Sequence, residues 1–236
     1  MSDGSPTVAL IHATSASMPP ARAAFAERFA AARLWNLLDD LLITQAEAAG
    51  GLTPPLRHRM HTLIAHAVDG GADAVLLSCS MYGPVAIEVA RTCPVPVMAS
   101  DQALFDAVTD RVTGGARRVA VLGPIRAGVD DTVARLHAWL GDRGAPAVSI
   151  TGSVVEGARA AAGDGDRLAQ VVTDEARRVA PTSDLVVLGQ FSISPALPAV
   201  AAAVSVPVLS PTHLAADVLR SRIDSGRTAH PTGVAR

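Results

Sequence analysis

The chain contains no lysine, so all 20 of its basic residues are arginines, and they face 22 acidic residues for a net charge of −2. These arginines are dispersed, and aromatic residues make up only 3% of the chain. Nucleic-acid-binding surfaces need clustered cations and often rings for base stacking, so we expect no nucleic-acid partner. A phosphate-loop lysine and a glycine-rich dinucleotide turn are both missing, so we expect chemistry without a cofactor.

Long apolar runs are missing too, although 49% of the residues are hydrophobic. The run from Ala199 to Val204 is too short to cross a bilayer. The first residues, Met1 to Pro6, lack the basic start and apolar stretch of a signal peptide. We therefore expect a cytoplasmic protein with no membrane partner, in which the two cysteines, Cys79 and Cys93, are reduced.

What the sequence does contain is an internal repeat at an offset of 111 residues. Three segments share this offset without a gap: Val8–Ile11 aligns with Val119–Leu122, Asp73–Cys79 with Asp184–Gln190, and Val95–Met98 with Val206–Leu209. Such a repeat predicts two structurally similar halves related by an approximate twofold axis. Small ligands tend to bind in the cleft between such halves, so we expect the active site there.

Short Val/Ile/Leu runs alternate along the chain with longer segments of helical period, a pattern typical of parallel strands joined by crossover helices. We predict an α/β fold of two pseudo-symmetric domains, each a four-stranded parallel sheet flanked by helices. The first comprises residues 1–100 and 211–236, and the second residues 101–210. From Ser225 onward we expect a frayed tail. Strands are predicted near residues 7–12, 33–38, 73–78, 95–99, 118–123, 146–151, 184–189 and 206–210, and helices near 20–31, 54–69, 84–91, 101–110, 127–142, 164–180, 195–203 and 212–224.

The repeat aligns Cys79 with Gln190, each just after a predicted strand and before a predicted helix. A cysteine that acts as a base or nucleophile must be partly thiolate and accessible, and a helix N-terminus with nearby hydroxyls favours the thiolate. We therefore predict that Cys79 is the catalytic residue. The alternative is a core thiol at a strand end, which would not explain the polar residues on both sides of it.

The two loops are rich in hydroxyls and backbone N–H groups, which predicts a site for a carboxylate or an enolate. Serine and threonine are also ordinary helix caps, and Tyr82 either donates to substrate or packs. His12 and His213 follow strands and could each serve as an acid or base. We predict no metal site. The substrate-binding candidates are Ser78, Ser80, Tyr82, Gly189, Gln190, Phe191, Ser192, Thr14, His12 and His213.

These features resemble the aspartate/glutamate racemase superfamily, which includes amino-acid and hydantoin racemases, maleate cis–trans isomerase and arylmalonate decarboxylase. The resemblance covers nearly the whole chain and rests on the duplicated halves, on Leu77-Ser78-Cys79-Ser80 and on Leu188-Gly189-Gln190. It implies a cofactor-independent enzyme that moves protons to and from carbon with a cysteine in each half. Members of the superfamily often form dimers, so a homodimer is expected by analogy.

The chain departs from the racemase pattern at Gln190, which stands where the second cysteine would be. An amide cannot exchange a proton at neutral pH, so two-base racemisation would need His12, His213 or water instead. We expect a racemase or isomerase that acts on a small carboxylate through an enolate-like intermediate. A one-thiol decarboxylase, a maleate-isomerase-like enzyme with Cys79 as nucleophile, and a non-catalytic acid-binding protein are the alternatives.

Overall fold

The computed structural model describes residues 4–229, and the chain folds into two compact units. The first unit contains the residues up to Ser100 and those from Ala215 onward, and the second unit is Asp101–Leu214. Along the described chain, no helix has both the length and the apolar character needed to cross a membrane.

Each unit is built on one four-stranded parallel sheet, which confirms the predicted fold class. In the first unit the strand order is β2-β1-β3-β4, and in the second it is β6-β5-β7-β8. The strands are β1 Thr7–His12, β2 Arg33–Leu38, β3 Ala74–Leu77, β4 Val97–Met98, β5 Arg118–Gly123, β6 Ser149–Val154, β7 Leu185–Leu188 and β8 Val208–Leu209.

Helices connect the strands and cover the sheets. They are α1 Met18–Arg28, α2 Leu41–Ala48, α3 Pro54–Asp69, α4 Gly83–Val89, α5 Gln102–Thr113, α6 Arg126–Asp142, α7 Gly165–Val179, α8 Leu197–Ala203 and α9 Pro211–Ala229. The central strands β3 and β7 are buried along their whole length, as expected for strands covered on both faces. Their near-continuous apolar sequences therefore supply the core of each unit.

The 111-residue repeat extends to side-chain contacts at the start of each sheet. Asp73 accepts a hydrogen bond from the backbone N–H of Thr7 at 2.7 Å, and Asp184 accepts one from the equivalent Arg118 at 3.0 Å. In the second unit, the Arg118 guanidinium and backbone N–H groups lower the pKa of Asp184 to about 2. Both aspartates thus tie a central strand to its neighbour.

Three features differ from the sequence-based expectation. Helix α2 was not predicted, because its run Leu41-Leu42-Ile43 has no clear helical period. Strand β6 begins three residues later than expected, because Gly152 and Ser153 have the composition of a turn although they pair with β5. The frayed tail expected from Ser225 was wrong as far as Ala229, because α9 continues to that residue.

Candidate active site

His12 ends β1 and lies at the carboxyl edge of the first sheet, where parallel strands commonly present functional groups. Leu77 pairs with Ile11, and the backbone N–H of Ser78 donates to the Ile11 carbonyl at 2.9 Å. The register therefore brings Ser78 beside His12. The His12 side chain is fully buried, with no exposed surface. The structure thus gives the predicted acid or base an interior position.

Three polar side chains surround the His12 ring. Its Nδ1 lies 2.8 Å from Ser17 Oγ and 2.9 Å from Ser78 Oγ, and its Nε2 lies 3.0 Å from Asn36 Oδ1. Ser17 Oγ is also 2.9 Å from Ser78 Oγ and 2.8 Å from the Thr14 carbonyl. We call His12, Ser17, Asn36 and Ser78 the His12 cluster. It joins the ends of β1 and β3, strand β2 and the turn before α1.

The chemistry of these partners fixes the protonation of the ring. An amide oxygen only accepts, so Nε2 carries the hydrogen that bonds to Asn36. Burial lowers the pKa of His12, and the Asn36 hydrogen bond opposes this in part, so the ring is neutral near pH 7. In the neutral ring Nδ1 is an acceptor and takes one hydroxyl hydrogen, from Ser78 or from Ser17.

Cys79 follows β3 with extended backbone angles (φ −108°, ψ 118°) and begins a short 3₁₀ turn, Ser80–Tyr82, that leads into α4. Its side chain is half-buried against the apolar core of the first unit and makes no helix-capping hydrogen bond. The thiol is therefore partly accessible, as the predicted chemistry requires. Cys93, the other thiol, is also half-buried.

Tyr82 is fully buried, and its hydroxyl donates to the Leu42 carbonyl at 3.0 Å. This contact favours packing over substrate binding, the two roles open from the sequence. Burial raises the pKa of Tyr82, and the negative charges of Cys79 and Asp39 raise it further. Cys79 and Asp39 are thus both within electrostatic range of the Tyr82 hydroxyl. The Asp39 carboxylate, just after β2, pairs with Arg59.

The other candidates of the first unit differ in accessibility. Thr14 is exposed, and its hydroxyl accepts a long hydrogen bond of 3.4 Å from the N–H of Ala16. Ser80 is half-buried and lies next to Cys79 in the 3₁₀ turn. Both hydroxyls belong to segments that leave the carboxyl edge of the sheet. The Ser78 hydroxyl, by contrast, is engaged by His12 and Ser17.

In the second unit, Gln190 follows β7 and begins the 3₁₀ segment Phe191–Ala196. A β-carbon built on Gly128, in the first turn of α6, would lie 1.8 Å from Gln190 Nε2. One built on Gly123 would lie 3.9 Å from Gln190 Cδ. The Gln190 amide therefore fills space that a side chain at Gly128 would need, and it would be in ordinary van der Waals contact with one at Gly123.

The second unit replaces every member of the His12 cluster with glycine. The 111-residue offset pairs His12 with Gly123, Ser17 with Gly128 and Ser78 with Gly189. Asn36 sits opposite Leu10 in β2 and Gly152 sits opposite Val121 in β6, and Leu10 and Val121 are themselves 111 apart. Gln190 and Val129 occupy the vacated positions, since β-carbons at Gly123 and Gly152 would lie 2.7 and 2.4 Å from Val129 methyls.

The remaining candidates of the second unit are mostly interior. His213 is 4% exposed, and its Nδ1 lies 3.0 Å from Ser210 Oγ and 3.2 Å from Thr212 Oγ1. Phe191 is buried, Gly189 is half-buried and Ser192 is exposed. Of these groups, Ser192 offers the most accessible hydroxyl in the loop after β7.

Sequence reasoning missed Ser17 and Asn36. Asn36 interrupts the apolar run Leu34 to Leu38, and a polar residue in a predicted strand was the available signal. Ser17 carried no distinct signal, because serine is common in turns before helices. Among the described residues, no group of three or more His, Cys, Asp or Glu side chains is arranged to hold a metal ion.

Known proteins give a consistent comparison. The sequence profile described as Asp/Glu/Hydantoin racemase matches residues 2–219. No curated protein matches the chain significantly. The structure is similar to that of an allantoin racemase from Klebsiella pneumoniae, with a TM-score of 0.67 at 16% identity over 98% of this chain and 96% of that one.

Two other solved structures show the same fold. An aspartate racemase homologue from Pyrococcus horikoshii OT3 gives a TM-score of 0.66 at 14% identity over 92% of this chain and 99% of that one. A glutamate racemase from Thermus thermophilus, in complex with β-chloro-D-alanine, gives 0.60 at 15% identity over 98% and 86%. At these identities the similarity establishes the fold alone.

Proposed function

The chain belongs to the Asp/Glu/hydantoin racemase family, and from this we propose that it is a cofactor-independent enzyme that transfers protons at the α-carbon of a small carboxylate. The observation that carries the proposal is the half-buried thiol of Cys79 at the carboxyl end of the central strand β3, with hydroxyl-bearing segments on both sides of it in the sequence. Aspartate and glutamate are the first carboxylates to test, and allantoin, whose hydantoin ring has no carboxylate, is included because the family and its solved relatives carry those names.

Cys79 is the proposed acid and base. As thiolate it takes the α-proton, which leaves an enolate and a neutral thiol. The enolate is costly in water, so backbone N–H groups and the hydroxyls of Ser80 and Thr14 stabilise its charge. Returning the proton from Cys79 restores the starting stereoisomer, and a proton from water on the other face gives the opposite one. The hydroxide left in the second case then takes the proton of the Cys79 thiol, which regenerates the thiolate and water. Gln190 cannot deliver that second proton itself.

A second candidate reaction follows from Gln190. If a second carboxylate leaves the substrate as CO₂, the bond electrons form the enediolate directly, and only one proton donor is needed. Cys79 thiol would then protonate the carbon once per turnover. The amide at position 190, where two-base racemases have a thiol, favours this one-thiol decarboxylation over two-base racemisation.

One experiment separates these reactions. The purified protein is incubated in D₂O with aspartate, glutamate, allantoin and an arylmalonate, and the products are followed by NMR and polarimetry. Deuterium at the α-carbon with loss of optical activity indicates racemisation, and release of CO₂ indicates decarboxylation. Cys79→Ala should abolish turnover, and Cys93→Ala, the matched control, should leave it unchanged. Equal turnover in wild type and Cys79→Ala would refute the role of Cys79, and binding without turnover would indicate a binding protein.

A further inference from the structure

The His12 cluster is a polar network at the carboxyl edge of the first sheet, in which His12 and Ser17 are buried and Asn36 and Ser78 are half-buried. His12 has no exposed surface and Ser17 is 6% exposed, and burial of such groups is costly unless they are hydrogen-bonded. Each member of the cluster contacts at least one other at 3.0 Å or less. Networks of this kind restrict the conformations of the segments that they join.

Those segments all leave the carboxyl edge of the first sheet. The His12 ring contacts Ser17, in the turn after β1, and Ser78, the residue before Cys79. Its backbone carbonyl accepts from the N–H of Asp39, just after β2, at 3.0 Å. His12 therefore joins the three chain segments that follow β1, β2 and β3.

We propose that His12 is a positioning residue: as the Nε2–H tautomer, held by Asn36, it fixes Ser78 and thereby the backbone of the Cys79 loop, residues 78–82. The ring does not face solvent and transfers no proton to substrate. This assignment deepens the proposed function, since it says which residues hold the reacting thiol in place.

The second unit supports the assignment by contrast. All four equivalent positions are glycine there, and the loop after β7 begins with Gln190 rather than with a thiol. The Gln190 amide is held by its packing beside Gly128 and therefore needs no polar network. The polar cluster is therefore present in the unit that contains Cys79, and glycines replace it in the unit that contains Gln190.

Strand geometry explains why the cluster acts through the backbone. Ser78 extends the β3 ladder beside β1, and its side chain lies on the His12 side of the sheet. Successive side chains in a strand point to opposite faces, and the Cys79 side chain packs on the face that carries α3. His12 thus lies across the sheet from Cys79 and reaches it through Ser78.

Amide hydrogen exchange in the full-length protein tests the proposal without a substrate. We expect His12→Leu and Ser17→Ala to accelerate exchange at the amides of residues 78–82 by roughly tenfold, with exchange in α3 unchanged. Ser15→Ala, in the same 3₁₀ turn but outside the cluster, is the matched control and should change neither. Acceleration that is equal throughout the protein, or none in the loop, would overturn the proposal.

Asn36 supplies a conservative pair of variants. Asn36→Asp keeps an acceptor for Nε2–H and should preserve slow amide exchange in the loop. Asn36→Leu removes the acceptor, so amide exchange in the loop should become faster. The ¹⁵N spectrum of His12 should show a protonated Nε2 and an unprotonated Nδ1 in the wild type. An unprotonated Nε2 would contradict the assignment. Equal amide exchange in the loop of the two Asn36 variants would also contradict it.

An activity measurement connects the cluster to the reaction. On any substrate whose turnover requires Cys79, Ser17→Ala should lower kcat by about tenfold and change KM little, because a displaced thiol slows proton transfer more than binding. An unchanged kcat would reject the positioning role. If no substrate depends on Cys79, the proposed function fails, and the exchange measurements alone decide whether His12 holds the loop.

Discussion

Gln190 lies where a side chain on Gly128 would have to be. A β-carbon on Gly128 would come within 1.8 Å of Gln190 Nε2 and 2.9 Å of its Cδ. Gly128 lies in the first turn of α6, where a glycine is less favourable than alanine by about 1 kcal/mol. Gly128 therefore makes helix α6 less stable at this position but leaves room for the Gln190 amide.

We expect Gly128→Ala to yield none of the stability that alanine normally adds to a helix, because Gln190 must move. Gly141→Ala, in the same helix with nothing within 4 Å of the new methyl, should add up to about 1 kcal/mol to the free energy of unfolding. Urea unfolding measures both changes. In Gly128→Ala the side-chain amide resonances of Gln190 should shift, and the double variant Gly128→Ala/Gln190→Ala should recover the gain. Equal stabilisation by the two single variants would show that the contact has no energetic consequence.

Because His12 is neutral in the folded protein, we expect the free energy of unfolding to depend on pH. Burial lowers its pKa in the folded protein, so between the folded value and the unfolded value of about 6.5 the unfolded state binds more protons. The stability contributed by the neutral ring is therefore complete above about pH 6.5 and is lost as the pH falls toward the folded value.

Urea unfolding from about pH 8 to about pH 5 measures this effect when wild type is compared with His12→Gln, which has no titrating ring. The wild type should lose more stability on acidification than the variant. Parallel curves would mean that His12 has the same pKa in both states. The carboxylates common to both proteins cancel in the comparison.

A substitution at Tyr82 distinguishes a packing role from a substrate-binding role. Its hydroxyl donates to the buried Leu42 carbonyl, which also belongs to the hydrogen-bond pattern of helix α2. Tyr82→Phe therefore removes one hydrogen bond without leaving the acceptor unsatisfied, and we expect a loss of about 0.5–1.5 kcal/mol in the free energy of unfolding. Turnover should stay within about twofold of wild type under conditions where both proteins are folded. A large fall in kcat with little change in stability would instead make Tyr82 a substrate-binding residue.

Much of this architecture could be predicted from the sequence because the pattern of strands and helices occurs twice, 111 residues apart. Strands β1, β2 and β5 and helix α3 were predicted to the residue. Pro6 precedes β1, Pro124 follows β5, and Pro54 and Gly70 mark the ends of α3. The His12 cluster could not be predicted, because it depends on the pairing register that sets Asn36 beside Leu10. The Gln190 contact with Gly128 likewise depends on side-chain direction, which a sequence offset does not specify.

Asp101 and Asp131 allow a matched comparison within the second unit. Both pair with Arg135, but the Asp101 side chain is 10% exposed and that of Asp131 is 55% exposed. Arg135 keeps Asp131 when Asp101 is replaced, so the loss comes from the charge-assisted hydrogen bond of the nearly buried Asp101 carboxylate, whereas exposed pairs contribute little. Asp101→Asn should therefore cost about 1–3 kcal/mol and Asp131→Asn less than about 1 kcal/mol in the free energy of unfolding. Equal losses would show that burial does not distinguish the two pairs.

The final prediction concerns a thiol at position 190. Gln190→Cys would place a thiol at the position that the repeat pairs with Cys79, but not the surroundings of Cys79. The positions whose β-carbons would approach the Gln190 amide, 123 and 128, are both glycine and supply no side-chain donors to a thiolate. A shorter side chain would also leave unfilled the space that the Gln190 amide occupies beside Gly128.

We therefore expect the thiol in Gln190→Cys to react with iodoacetamide more slowly than Cys79, as measured by mass spectrometry of the separate peptides. Cys93 is an internal reference in the same molecule. Gln190→Ser is the matched control, because it shortens the side chain similarly without adding a thiol, so both variants should lose similar stability. Two-base racemisation should not appear in Gln190→Cys, because a thiol that stays protonated is a poor base. Alkylation at the rate of Cys79 together with faster racemisation would show that the second unit already provides an environment that makes a cysteine at position 190 reactive.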